Sequence, residues 1–284
     1  MRLAILLIIL TTTFCLGQSD KAGLTFKTKY YEAVDKWIAF PKKEGDSTYT
    51  FGFIYLDDQA GFTFDYASKF IVGEKGLKAL PREFQESLKS RLAPNTANVA
   101  VLSSKQIGEL GLPNQPEWLS NYKIGSETVP YLKNIGFHYN HVGASHLALA
   151  PLTQAYQTDP HYDGLEFELA YAYNALKMFD KAISVLKKAI ANNPENSFFY
   201  RELGYAYRYS NQMDSAENAY MKGIEISKDD FQKSEMAVNM AQAYYLVRNK
   251  EKFNKWAKLT RKHAEKGSRY AQFIDIFEQK WHEK

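Results

Sequence analysis

The sequence predicts a mostly α-helical protein: an α-solenoid of about four helical hairpins over residues 129–266, closed by a helix at 268–281 and preceded by a small α+β unit at 18–128. Three observations predict it. Residues of like size recur every 34 positions from Val129 onward, as expected of a repeated supersecondary unit that buries its core by stacking. Ahead of the repeats, two aromatic-rich runs flank a turn sequence, which is a β-hairpin pattern. After them, bulky residues recur at helical spacing.

The period is read from segments starting at Val129, Asp163 and Ser197. Small residues fall in register at Gly136, Ala170 and Gly204, followed by Tyr139, Tyr173 and Tyr207, then Ala148, Ala182 and Ala216. Leu152, Leu186 and Tyr220 form a fourth column, and Ala155, Ala189 and Gly223 a fifth. Pro160 and Pro194 close the first two units, because proline cannot continue a helix. Each unit therefore reads as two helices that break near Gly143, Lys177 and Asn211. Small residues let the paired helices approach, and the larger ones fill the space around that contact.

This order of small, aromatic, small and proline residues resembles the tetratricopeptide repeat family, a 34-residue helix-turn-helix. The resemblance implies an interaction scaffold without catalytic activity or a cofactor. A fourth, degenerate unit is expected from about Ser234, offset by three residues, with Ala241 and Tyr244 in the small and tyrosine columns. Phe253 and Ala257 there reverse the large and small positions of the other units, so that hairpin must pack differently. Beyond it, Tyr270, Phe273, Ile274, Phe277 and Trp281 share one face of a helix expected to seal the open end of the core.

In the preceding unit, Thr48–Leu56 and Phe62–Tyr66 read as strands joined by "DDQAG". Asp57 and Asp58 are expected to favour that turn rather than to act as an acid/base pair. "NVAVL" at 98–102 reads as a further strand. In "LPREFQESLKSRLA", Phe84, Leu88 and Leu92 lie four apart with Pro81 in the first turn, which predicts a helix. "YYEAVDKWIAF", from Tyr30 to Phe40, fits helix and strand alike. No Gly-rich phosphate loop, G-x-S-x-G or H-E-x-x-H pattern is present, so no enzyme class is indicated.

The first seventeen residues have a single cation, Arg2, an apolar run from Leu3 to Leu10, and small residues at Cys15 and Gly17. They read as a secretory signal peptide cut after Gly17. The protein is thus expected to be exported, periplasmic or secreted. Acylation at Cys15 is the competing, lipid-anchored reading; an uncleaved anchor is disfavoured because the apolar run is too short to span a bilayer. Cys15 is the only cysteine, so the mature chain could have neither a disulfide nor a zinc thiolate site. Without Arg2, 35 basic side chains (36 minus 1) face 32 acidic ones, a balance that gives no reason to expect nucleic acid.

The family resemblance implies that the first helix of each unit lines a concave groove. Carried onto this sequence, the groove row is Phe137, Tyr171 and Tyr205. One turn earlier come Lys133, Phe167 and Arg201; one turn later come Asn140, Asn174 and Arg208, with His141 and Tyr209 beside them. Rings give contact area at low entropic cost and amides can bond a peptide backbone, so the expected partner is a protein or peptide segment, acidic if anything. Packing of the same rings against neighbouring repeats is the alternative. The family's carboxylate clamp is not reproduced, since only Lys133 matches. Phe137, Glu168, Phe198 and Glu202 stand where the other clamp residues belong.

Two further features complete the reading. Residues 248–266 carry eight Lys or Arg against two Glu, with Phe253, Trp256 and Thr260 marking the apolar side. A solvated face is expected there, and contact with an anionic envelope surface is the lesser reading. His138, His141 and His146 lie within nine residues of one another, but no carboxylate accompanies them and His146 belongs to the partner helix, so no metal is expected. The rival to the scaffold reading places an enzyme or small-ligand site in the α+β unit, with the repeats as its support.

Overall fold

A computed structural model describes residues 23–82 and 87–282. The region read as a signal peptide, with Cys15 and Gly17, lies outside the described residues, as does Phe84. The chain divides into two units, one ending at Lys123 and one beginning at Ile124.

The first unit is built on an antiparallel sheet of six strands: β1 (Lys36–Ala39), β2 (Tyr49–Asp57), β3 (Gly61–Gly73), β4 (Gly76–Ala79), β5 (Leu88–Arg91) and β6 (Ala100–Val101). Their order is β4-β3-β2-β1-β6, and β5 also pairs with β3. The expected hairpin is β2–β3, closed by pairing of Asp57 with Gly61. The Asp57 carboxylate accepts from the amides of Gln59 (2.8 Å) and Ala60 (2.9 Å), so the aspartate makes the turn. Seven of the nine β2 residues are buried, so the strand is covered on both faces rather than one. Phe51, Phe53 and Tyr55 pack with Trp37, Phe70 and Leu119; on the other face Phe62 meets Tyr30 and Phe64 meets Phe40, edge to face.

Two readings of this unit are corrected or resolved. The helix expected across Leu80–Ala93 is not formed in its described part: β5 pairs Leu88–Arg91 with Tyr66–Thr63 of β3. A four-residue apolar spacing was outweighed by an open β3 edge, whose backbone groups need partners. The ambiguous stretch takes both forms in turn, a 3-10 helix at Tyr30–Glu32 and then β1. A single turn, α1 (Ser104–Glu109), and a 3-10 helix at Glu117–Lys123 complete the unit.

The second unit consists of helical hairpins α2/α3 (Val129–His141, Ser145–Thr158), α4/α5 (Leu165–Ala175, Phe179–Asn192), α6/α7 (Ser197–Tyr209, Met213–Ile226) and α8/α9 (Asp230–Leu246, Lys250–His263), followed by α10 (Arg269–Gln279). The hairpins turn where the sequence places the break. Gly143, Lys177, Asn211 and Arg248 all have left-handed backbone, with φ of 77°, 59°, 61° and 58°. The following amide closes each turn onto the carbonyl of the repeat tyrosine, as from Ala144 to Tyr139 and from Met178 to Tyr173, which satisfies a helix-end acceptor.

Packing follows the size columns. A Cβ on Gly136 would lie 2.3 Å from Leu152 Cγ, and one on Gly204 2.6 Å from the Tyr220 ring, so these glycines let the paired helices touch. The three-residue offset is absorbed by α8. It runs 17 residues and begins at Asp230, a turn ahead of the expected Ser234. In α9, Phe253, Trp256, Ala257 and Thr260 are buried. Tyr270, Ile274 and Trp281 are buried against this end, while Phe273 stays 40% exposed. The sealing helix therefore keeps part of its apolar face open.

Candidate functional site

The face formed by α2, α4, α6 and α8 carries two adjoining clefts. The first, about 220 Å³, is lined by Phe137, Asn140, His141, Phe167, Glu168 and Tyr171. The second, about 370 Å³, is lined by Tyr171, Asn174, Arg201, Glu202, Tyr205, Glu235 and Asn239, with Ala175 at its edge. Tyr171 belongs to both and is 39% exposed; Phe137 is 41% exposed. Phe137, Tyr171 and Tyr205 thus line these clefts, the first two exposed and Tyr205 partly buried.

The rings meet one another along that surface. Phe167 lies 6.4 Å from Tyr171 and 5.8 Å from Phe198 between centroids. Tyr205 and Tyr209 are 4.4 Å apart, and Phe179 stacks on Tyr209 at 5.9 Å. Phe137 contacts His138 and His141, so two of the histidines are explained as neighbours of a ring. His146 is exposed on α3. Among the described residues, no three His, Cys, Asp or Glu side chains are grouped to hold a metal.

The row one turn later is corrected. Asn140, Asn174 and Arg208 are buried, at 4%, 4% and 8% exposure, and they join successive repeats. Asn140 Nδ2 donates to the Glu168 carbonyl (2.9 Å) and carboxylate (2.8 Å). Asn174 makes the same pair of bonds to Glu202, at 3.1 and 3.0 Å. Arg208 donates to Gln242 Oε1 at 2.8 Å. Asn140 and Asn174 thus line the clefts while spending their amide donors on the next repeat. These groups tie the array together; they are not free donors for a partner.

Cations of the site are similarly engaged. Arg201 binds Glu202 at 3.0 Å and Glu235 at 3.4 Å, while its guanidinium lies over the rings of Phe167 and Phe198. Burial raises the Glu168 carboxyl above its ordinary value, against the lowering effects of Asn140, Lys133 and His141. The clefts are therefore aromatic, with three glutamates, Glu168, Glu202 and Glu235, against one arginine, Arg201, that is already paired with two of them, so the lining gives no support to an acidic preference. Glu235 and Asn239 line the second cleft without having been expected there, and Glu168 and Glu202 were placed only as departures from the carboxylate clamp, not as lining residues. Glu168 and Glu202 stand 34 residues apart, so the period itself was the signal that could have found them.

Two tetratricopeptide-repeat family models match the helical unit, at residues 143–197 and 200–230. It is a tetratricopeptide-repeat array. Solved structures similar to part of this tetratricopeptide-repeat chain include TTC0263, a thermophilic protein of the same repeat class from Thermus thermophilus. That match has 18% identity, covers 57% of this chain and 86% of that one, and has a TM-score of 0.46. Another is MamA from Desulfovibrio magneticus RS-1, residues 41 to the end, at 18% identity, covering 51% and 80%, with a TM-score of 0.44. A third structure, also of MamA, is 24% identical over 56% of this chain and 77% of that one, with a TM-score of 0.42. No curated protein matches the sequence. Tetratricopeptide repeats are protein–protein interaction modules, generally without catalytic activity, and the array supports an interaction scaffold on that ground.

The surface continues past the repeats. Between α8 and α10 lies a further cleft of about 370 Å³, lined by Val238, Asn239, Gln242, Tyr270, Phe273, Ile276 and Phe277, with Glu235 and Arg269 at its rim. The basic α9 is less free than its sequence implies: Arg261 pairs with Asp275 and Glu278, and Lys252 and Lys255 pair with Glu217.

Proposed function

We propose that this protein is a non-enzymatic adaptor of the cell envelope that holds a segment of another exported protein on the α2–α4–α6–α8 face. The observation that carries the reading is the line of rings Phe137, Tyr171 and Tyr205 in adjoining clefts, the first two well exposed and Tyr205 partly buried. Partly exposed aromatic groups that touch one another make an apolar surface with little ordering cost on binding. Because Arg201 and Arg208 are already bonded to partners within the array, the fitting segment is apolar and uncharged at its core. Export rests on the Arg2 to Gly17 pattern, and mature protein is expected to begin at Gln18 or its cyclised form.

The test is capture of partners from the envelope fraction by the protein and by a Tyr171→Ala/Tyr205→Ala variant. Specific capture by the parent protein, lost in a variant whose circular dichroism is unchanged, supports the reading. Equal capture by a folded variant would overturn it.

A further inference from the structure

Three rings of the first unit surround a cation. Lys89, in β5, places its Nζ 4.1 Å from the Trp118 ring centroid, 4.6 Å from Tyr122 and 5.1 Å from Tyr55, and donates to the Tyr122 hydroxyl at 3.1 Å. Rings at this range attract an ammonium through their negative faces, more strongly as the site loses water.

The walls of the box are held without the lysine. Tyr55 is 1% exposed within β2, and Trp118 stands edge-on to Phe53 at 5.9 Å. Tyr55 and Tyr122 share a hydrogen bond that leaves the Tyr122 oxygen as its acceptor and lowers that phenol, while burial and the same bond raise Tyr55. Asp57 and Asp65 add negative potential near Tyr55. The occupant is held differently. All four residues of β5 are exposed, and the strand lies off the main path of the sheet. A fixed, electron-rich seat is filled by a solvent-accessible side chain on a short edge strand.

We propose that the Tyr55–Trp118–Tyr122 box is a recognition site for an external alkylammonium group, and that Lys89 sits in it when no ligand is bound. The ligand class is a protonated primary amine, because the Tyr122 hydroxyl accepts an N–H that a quaternary ammonium lacks. A lysine of a partner protein and a free alkylamine share this chemistry. The site gives the first unit a binding role of its own, separate from the repeat surface.

The test uses the full chain with its tryptophan indoles labelled for NMR, titrated with n-butylammonium, with acetyl-Gly-Lys-Gly-amide, and with 1-butanol as neutral control. Loss of the Trp118 signal in Trp118→Phe assigns it among the four tryptophans. Butylammonium should shift that signal saturably in the parent protein, and bind about tenfold tighter in Lys89→Ala, where the internal competitor is gone. Tetramethylammonium should bind more weakly than butylammonium. Tighter binding of the peptide than of butylammonium points to a partner's lysine, and the reverse to a free amine. Lys89→Gln, which keeps much of the stem, replaces Lys89→Ala if the latter fails to fold. No saturable shift in folded protein, or equal binding of 1-butanol, would overturn the proposal. Binding confined to the Lys89 variants would do so too, since it would make Lys89 a permanent plug.

Discussion

The front of the repeat array and its back end use the same hairpin but are fastened differently. From α2 to α6 the core is aliphatic and small, with Leu152, Leu169, Leu186 and a row of alanines, and the polar rungs are buried amides aimed at the next repeat's Glu. From α7 to α10 the core is aromatic, with Trp256, Phe253, Tyr220, Tyr244 and Trp281. There a single carboxylate, Glu217, accepts from Trp256 Nε1 (3.0 Å), Tyr244 (3.0 Å) and Lys252 (2.9 Å). Regular repeats can share one interface because each neighbour is alike. Among the described residues the last hairpin is followed by the single helix α10, and large rings with one polar node fill the core there.

The largest break in this comparison should come from Trp256→Ala. It removes a fully buried ring and a donor to Glu217 together, and a loss of about 3–5 kcal/mol is expected in denaturant unfolding. Hydrogen exchange should place the loss in α7–α10 first, with α2–α5 retaining protection if the two ends open separately.

Acid separates the ends by sign. Burial opposes ionisation of Glu217, but its bonds from Lys252, Trp256 and Tyr244 prevail and hold the carboxyl at about 2. Its contribution is complete above the unfolded carboxylate pKa and is lost as pH falls from there towards 2. Glu168 is raised by burial, so the stability gained on protonating it is complete below the unfolded value and is lost as pH rises through the raised one. Amide protection measured from pH 7 down to pH 3 should hold or rise in α2–α4 and fall in α7–α9 below the ordinary carboxylate range.

At the front, Gly136→Ala should cost about 1–3 kcal/mol, because Leu152 is fully buried and cannot move away. Asn174→Ala should cost about 1–2 kcal/mol by leaving Glu202 short of a donor. A folded Asn174→Ala protein should still capture whatever Tyr171 and Tyr205 hold, because Asn174 is buried and its amide donors are already spent on Glu202. The smallest effects lie in the turns. Lys177→Gly should stabilise by about 1 kcal/mol by relieving a left-handed side chain. Arg248→Gly should show no gain, because Arg248 bonds the Trp281 carbonyl and lies over the Tyr245 and Trp281 rings. Thermal unfolding of the two variants checks this contrast.

The same division governs what could be read in advance. The 34-residue period placed the helices, the turns at Gly143, Lys177 and Asn211, and the glycines opposite Leu152 and Tyr220. Each of these depends on partners within one hairpin, so size and spacing along the chain determine them. That Asn140, Asn174 and Arg208 spend their donors on the next repeat was not legible, because it depends on how one repeat sits on the next. Leu88–Arg91 was misjudged because its partner is an edge supplied by Thr63–Tyr66.

By itself the sequence determined a repeat array from Val129 onward with rings recurring in its first helices, since local packing repeats whatever the rest of the chain does. Only the tertiary structure decided which rings are exposed and which polar groups are already bonded. It alone brought Tyr55, Lys89, Trp118 and Tyr122 together, because contacts between residues distant in sequence leave no periodic trace along the chain.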